Sequence, residues 1–355
     1  MSIFSEENMS HYALAIGLIL LATVFGNRIK SAFDTTNKDE YELIRKYLLN
    51  DSPLYGYDRP KLWIHSKYEY NARKWQSFMS RTSTDLNQPY IHLTVKTIIN
   101  HCGNDFNVCL IDDESFSRLI PGWNVNIREL AEPIRSHYRE LGMAELLYIY
   151  GGLVVPNSFV CMKNLMPLYL KGIQNDRPFV CEMVNRFTNQ LHDRSNKVFT
   201  ANTNFMGAPK RSPEIRAMAE YLKERNNNPH FSSETDFNGY TSFWCNYEIA
   251  MNKMDLIDGL VIGIKNNHGK PILLEDLMEE NTLDLCPKRN YGINIPAEEI
   301  LRRTKFQWFS AMSSEELLKT NMIVTKYLRT ALIATTEKND THFKPTKEIR
   351  TVVSI

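Results

Sequence analysis

From Lys61 onward the chain alternates short runs that are apolar on every side with segments whose apolar residues return every three to four positions. Lys61-Leu-Trp-Ile-His65, Asn107-Val-Cys-Leu-Ile111, Leu153-Val-Val155 and Phe179-Val-Cys181 are of the first kind. Runs of that length and character are expected of strands covered on both faces, the usual state of an α/β sheet. Tyr138 to Tyr150 is of the second kind and predicts an amphipathic helix, which Gly151-Gly152 would end by supplying left-handed backbone. Polar residues placed directly after buried strands fall at the carboxyl edge of the sheet, where open α/β folds bind ligands. Asp112-Asp113-Glu114, Pro156-Asn157-Ser158 and Glu182 stand at such places. Taken alone, Gly-Gly also reads as an ordinary helix-to-strand connection.

Both ends of the chain carry other patterns. Tyr12 to Phe25 holds no charge and, with its neighbours from Met9 to Gly26, reaches roughly the 18 residues that cross a bilayer. Glu6-Glu7 precede it, and Arg28 and Lys30 follow. A cleaved leader would begin with basic residues, so a retained membrane helix is expected, with its basic flank and the large domain on the cytosolic side. Tyr41, Ile44, Tyr47 and Leu48 recur at helical spacing and predict a short docking helix, followed by a proline- and glycine-bearing loop over Asp51 to Pro60. Near the other end, Ala297 to Phe309 reads as one helix, and Ser313-Ser-Glu-Glu316 opens another with a capping box. Leu317, Val324, Leu328 and Leu332 give that helix an apolar face, and Thr335 to Ile355 is polar. The expected organisation is an anchor over 1–30, a linker over 31–60, a main domain over 61–310, and a C-terminal helix and tail over 311–355.

Composition narrows the class. A chain of 355 residues with 43% hydrophobic and 23% charged residues is a folded globular protein, long enough for one large core with appendages. A net charge of +1, without a basic stripe interleaved with aromatics, excludes nucleic acid as an expected partner. Six cysteines show no C-x-x-C spacing, and Cys109, Cys161 and Cys181 lie in apolar runs; free thiols are expected rather than a disulfide framework or a zinc site.

The stretch Tyr148, Tyr150, Gly151, Gly152 and the apolar strand after it resembles the core of the DXD-type sugar transferases, which include capsular-sugar transferases and α-mannosyltransferases. Their signature runs Ser-Asp-x-x-Arg, a Tyr-rich turn with Gly-Gly, a strand, then Asp-x-Asp. Here Arg139-Glu140 stand for Ser-Asp, Met143 for the arginine, and Pro156-Asn157-Ser158 for Asp-x-Asp. Lys61 to His65 resembles the family's opening strand and Asp112-Asp113-Glu114 its acidic segment. Asn202-Thr-Asn-Phe-Met-Gly207 with Pro209 and the helix from Pro213 to Leu222 resembles a later block. The wording around Leu62 to Trp75 also resembles uncharacterised proteins of large DNA viruses.

That resemblance implies a GT-A-like, Rossmann-type mixed α/β sheet flanked by helices, placed behind the N-terminal membrane helix. It implies transfer of a sugar, with retention, from a nucleotide-sugar donor to a glycan, lipid or protein acceptor. The family's two aspartates hold a divalent cation against the donor diphosphate, and proline, asparagine and serine are poor substitutes. No cofactor metal is therefore expected, and the nucleotide sugar is substrate. The candidate catalytic carboxylates are Asp113 and Glu182; the candidate nucleotide-sugar contacts are His65, Asp112, Gly151, Gly152, Asn157, Ser158 and Asn204. Arg302, Arg303 and Lys305 read either as a cationic substitute for the metal or as a solvated basic face. The alternative to an enzyme is a membrane-anchored binding or structural protein, of a virion for example, that keeps the fold without turnover.

Overall fold

The computed structural model describes residues 59–66, 88–132, 134–184, 198–227 and 234–339, all within the compact unit Asn50–Ile355. The proposed anchor and docking helix, Tyr68 to Trp75 and the polar tail beyond residue 339 lie outside the described residues. Among the described residues no helix is long and apolar enough to cross a membrane.

The centre is a six-stranded sheet ordered β2-β1-β3-β6-β5-β7, formed by Asn107–Ile111 (β2), Lys61–His65 (β1), Gly152–Val154 (β3), Phe199–Ala208 (β6), Phe179–Val184 (β5) and Asp255–Ile257 (β7). β6 alone runs against its neighbours, so the sheet is mixed and mostly parallel. Leu62, Trp63 and Ile64 are fully buried, as a central strand covered on both faces must be. Phe159–Cys161 (β4) pairs antiparallel with Gly292–Asn294 (β8) in a small second sheet.

Two crossovers position the site. β1 connects through Tyr90–Cys102 (α1) to β2, and β2 connects through Ser115–Leu119 (α2) and Ile134–Tyr150 (α3) to β3, on the other side of β1. Parallel crossovers are right-handed, so two that step in opposite directions along the sheet put their helices on opposite faces. The face of Trp63, Cys109 and Val154 accordingly shares one core with Leu141, Ala144 and Leu147 of α3 and with Ile215, Met218 and Leu222 of Pro213–Asn227 (α5). Glu234–Ala250 (α6) joins this core through Trp244 and Cys245. α1 packs instead on β4 and on Ser314–Lys319 (α10) and Ile323–Asn339 (α11).

The predicted turn at Gly151-Gly152 is present and has a steric cause. Gly151 has φ +67 and its N–H bonds the Leu147 carbonyl at 2.8 Å, closing α3. Gly152 has φ +107, and a Cβ there would overlap the Lys61 carbonyl of the neighbouring strand. The capping box at Ser313 and Glu316 also forms, with Ser313 N–H to Glu316 Oε2 at 2.9 Å.

Two boundaries differ from expectation. Ala297 to Phe309 is not one helix: Ala297–Arg302 (α8) ends where Arg303 turns extended, and Gln307–Ala311 (α9) follows a short 3-10 turn. The Arg303 side chain is drawn to Glu275 on Leu274–Met278 (α7), a long-range pull that local periodicity does not register. Glu182 also lies inside β5 rather than after it, because the strand continues to Val184.

Candidate active site at the carboxyl edge of the sheet

In the order β2-β1-β3 the strand sequence reverses at β1, which places the ligand crevice of the sheet outside the carboxyl ends of β1 and β3. His65 and Ser66 stand at the end of β1, and Asp112 and Asp113 at the end of the neighbouring β2. The register of β1 with β3, Leu62 opposite Leu153 and Trp63 opposite Val154, directs the turn at Asn157 toward the same edge as Ser66. Asn204 stands level with Pro156, since Val154 pairs with Met206 in the antiparallel β6. It lies in a bulge, where consecutive residues Val180 and Cys181 pair with Met206 and Asn202, and it is exposed.

Asp113 is the most constrained group of the crevice. Arg139 Nε and Nη2 donate to its two oxygens at 2.9 and 2.8 Å, and His65 Nε2 meets Oδ1 at 3.0 Å. The Arg139 side chain is only 6% exposed and Asp113 12%, so this is a largely desolvated charge cluster. Burial would push the Asp113 carboxyl up, but the hydrogen bonds and charges of His65 and Arg139 override it and hold it far below the usual carboxylate range. His65 also stacks on Phe116, ring centres 5.4 Å apart, which fixes the imidazole from its other side. Asp112 is engaged locally: its Oδ1 accepts from the Ser115 N–H at 2.9 Å and the Ser115 hydroxyl at 2.7 Å, at the start of α2.

Glu182 belongs to a different cluster. Lys265 donates to its Oε2 at 2.6 Å and to Asp258 at 3.1 Å, and the Gly259 N–H reaches the same Oε2 at 3.0 Å. This network ties the chain after β7 to β5. β2 and β5 are four strand spacings apart, about 19 Å, so Asp113 and Glu182 do not face a common point. Ser158 is buried, and its hydroxyl donates to the Ile295 carbonyl at 2.7 Å, which leaves no proton for a phosphate. Gly151 and Gly152 stand at the amino end of β3, with Gly152 about 13 Å of extended chain before Pro156. They shape the strand entry and do not line the crevice.

A divalent cation does not fit the position of the family's acidic pair. Pro156 has no side-chain donor atom, the Ser158 hydroxyl is committed, and Asn157 offers one neutral oxygen. In the basic cluster of the C-terminal part, Arg303 is paired with Glu275 and Glu299, Arg302 is exposed 3.8 Å from Glu298, and Lys305 is exposed over the Phe306 ring.

Three residues of interest stand outside the candidate site residues read from the sequence. Arg139 was matched only to a motif position; its signal was its place on the inward face of α3, one and two turns before Gly142 and Leu146. Ser66, 2% exposed, and Gln88, 7% exposed, each hold a buried side-chain oxygen without a hydrogen-bond partner. No local pattern marks such atoms, because their burial is set by distant chain.

No protein-family model matches the chain, and no curated protein matches its sequence. Among solved structures, the galactosyltransferase LgtC in complex with donor and acceptor sugar analogues is 13% identical, over 56% of this chain and 74% of that one, with a TM-score of 0.30. The glycosyltransferase GlyE of Streptococcus pneumoniae TIGR4 is 8% identical over 82% of this chain and 66% of its own, with a TM-score of 0.40. The PaToxG glycosyltransferase is 11% identical over 83% and 96%, with a TM-score of 0.29. All three are glycosyltransferases. Likeness at this level fixes neither the activity nor the site residues of this chain.

Proposed function

We propose that this protein binds a nucleotide sugar in the crevice at the carboxyl ends of β1 and β3 and transfers the sugar to a glycan, lipid or protein acceptor without a cation at Pro156 to Ser158. One observation carries the reading: the strand order reverses at β1, so the ends of β1 at His65-Ser66 and of β3 before Pro156-Asn157 flank the switch point where open α/β sheets take ligands. In this reading Asp113, kept ionised by Arg139, holds the His65 ring in one orientation at the crevice floor. Asn157 and Asn204 offer neutral hydrogen-bonding groups along the same edge, to phosphate and sugar respectively. Retention, which the family resemblance implies, needs no free carboxylate on the opposite face. The departing diphosphate oxygen can take the acceptor proton itself. Residues 12–26 would tether the domain to a membrane with its bulk in the cytosol. The six free thiols support that side, since a reducing compartment maintains them.

A second reading, binding without transfer, is favoured by a specific observation: Asp113 and Glu182 are both held in ion pairs. Calorimetry of the full-length protein in detergent, with a panel of nucleotide sugars in EDTA and in Mn²⁺, together with an assay of donor hydrolysis, separates the two. Binding in EDTA with slow hydrolysis is expected for the enzyme. Binding without any turnover, acceptors included, moves the protein to the second reading, and no binding under either condition removes both.

A further inference from the structure

We propose that the α1 side of this crevice is a phosphoryl cradle, built from Ser66, Gln88, Asn157 and the amino end of α1, that takes the donor diphosphate in place of a cation. The inference rests on the nucleotide-sugar reading above and assigns the part of that ligand which the missing acidic pair would have held.

Four observations meet there. Along β1 the side chains alternate, and Trp63 and His65 face the α3 side, so Ser66 faces α1. Its hydroxyl is buried and unpartnered. α1 is a helix of 13 residues whose amino end is brought to this edge by Thr94, which donates to the Asn157 carbonyl at 2.5 Å. No side chain caps that end and no acidic residue lies in its first turn. A helix end so left carries roughly half a positive charge and favours an anion. Gln88 directly precedes the Pro89 N-cap, with Oε1 buried and unpartnered. Half a turn of that amide would present its NH₂ as a donor instead. Asn157 adds a half-buried amide at the rim, in the turn that follows β3 and is held to α1 by Thr94.

Buried polar atoms of native proteins almost always have partners, and exceptions call for an explanation. A phosphoryl group supplies one here: oxygens to accept from Ser66 and from the Gln88 and Asn157 amides, and negative charge to meet the helix dipole, the Ile91 and His92 N–H groups being already bonded to the Gln88 and Pro89 carbonyls. The carboxylates nearby do not oppose it strongly. Asp113 is paired with the Arg139 guanidinium and hydrogen-bonded to His65, and Asp112 is turned to Ser115.

The test is calorimetry of the full-length protein in EDTA, with inorganic pyrophosphate, UDP, GDP and a panel of nucleotide sugars as probes. Ser66→Ala and Asn157→Asp are the variants. Pyrophosphate and one nucleoside diphosphate should bind without metal, and Ser66→Ala should weaken both by about tenfold or more, the loss of one charge-assisted hydrogen bond. Ser66→Ala should also melt no lower than the parent in the absence of ligand, because it removes an unsatisfied hydroxyl. Asn157→Asp, at the rim, should weaken binding by repulsion even if the first variant folds poorly. Nucleotide-sugar binding that ignores both variants, or that requires Mn²⁺, overturns the cradle and leaves the nucleotide-sugar reading standing. Pyrophosphate binding that depends on Ser66, with no nucleotide sugar bound by any preparation, keeps the cradle and overturns that reading. Failure of every probe overturns both.

Discussion

Arg139 and Asp113 form a two-point clamp, with Nε and Nη2 each donating to one carboxylate oxygen at 2.9 and 2.8 Å. The guanidinium comes from α3 and the carboxylate from the end of β2, so the clamp fixes how that helix sits against the strand end and, through His65, the floor of the crevice. Breaking a buried pair from one side strands the other charge. Arg139→Leu should therefore lower stability by about 3–5 kcal/mol, and the double change with Asp113→Asn should recover part of that loss. Urea unfolding of the three variants measures this. A single-variant loss under about 1 kcal/mol would mean that water reaches Asp113 and that the clamp is not a structural unit.

Glu182 is expected to act on stability rather than on chemistry. Its Oε2 takes both the Lys265 ammonium and the Gly259 N–H. Glu182→Gln should cost about 1–3 kcal/mol, and the change should be coupled to Lys265→Met in a double-mutant cycle. With a transferase assay in hand, the same variant should keep kcat within about threefold wherever it remains folded, a small change on the transition-state scale. A kcat loss of a hundredfold or more in a folded variant would return Glu182 to the list of catalytic groups.

The parts of the fold that could be read from sequence are those whose causes are local. Leu62 to Ile64 and Val108 to Ile111 are strands because every side of them is apolar, and Gly151-Gly152 is a turn because nothing else tolerates both its backbone and its neighbour. Ser313 and Glu316 announce their own helix start three residues apart. The site was less legible because its contacts are long-range. Arg139 finds Asp113 across 26 residues and Lys265 finds Glu182 across 83, and neither pair leaves a local mark. The carboxylates could be placed at strand ends by pattern, but whether a carboxylate is free or paired is decided by which distant cation the topology delivers. Gly151 and Gly152 show the converse: the sharpness of the motif has a sufficient cause in the backbone, since a Cβ at Gly152 would overlap the Lys61 carbonyl.

His137 gives a pH dependence of defined sign. It is 2% exposed on α3, and burial, opposed by the charge of Glu132, lowers its pKa to about 4. A base whose folded pKa is depressed is protonated first in the unfolded chain, so stability falls as pH drops from about 6.5 toward about 4 and levels off below. Thermal melts of the parent should decline across that interval, and His137→Phe should decline less there, whatever its absolute stability. Parallel curves for the two proteins would show that His137 is solvated and titrates normally.

The turn into β3 offers a comparison of two glycines that separates backbone strain from crowding. Gly152 combines φ +107 with a carbonyl oxygen of Lys61 where a Cβ would stand, while Gly269 has φ +72 and open space around it. Gly269→Ala carries the conformational term alone and should cost about 1–2 kcal/mol. Gly152→Ala adds an overlap with backbone of the neighbouring strand, which cannot move without separating β1 from β3; its cost should be about 3–6 kcal/mol, enough to leave little folded protein. Chemical unfolding, or soluble yield where unfolding cannot be followed, ranks the two. Equal costs would mean that β3 enters the sheet along a different path, and with it the position of Asn157 at the same edge as Ser66 would be lost.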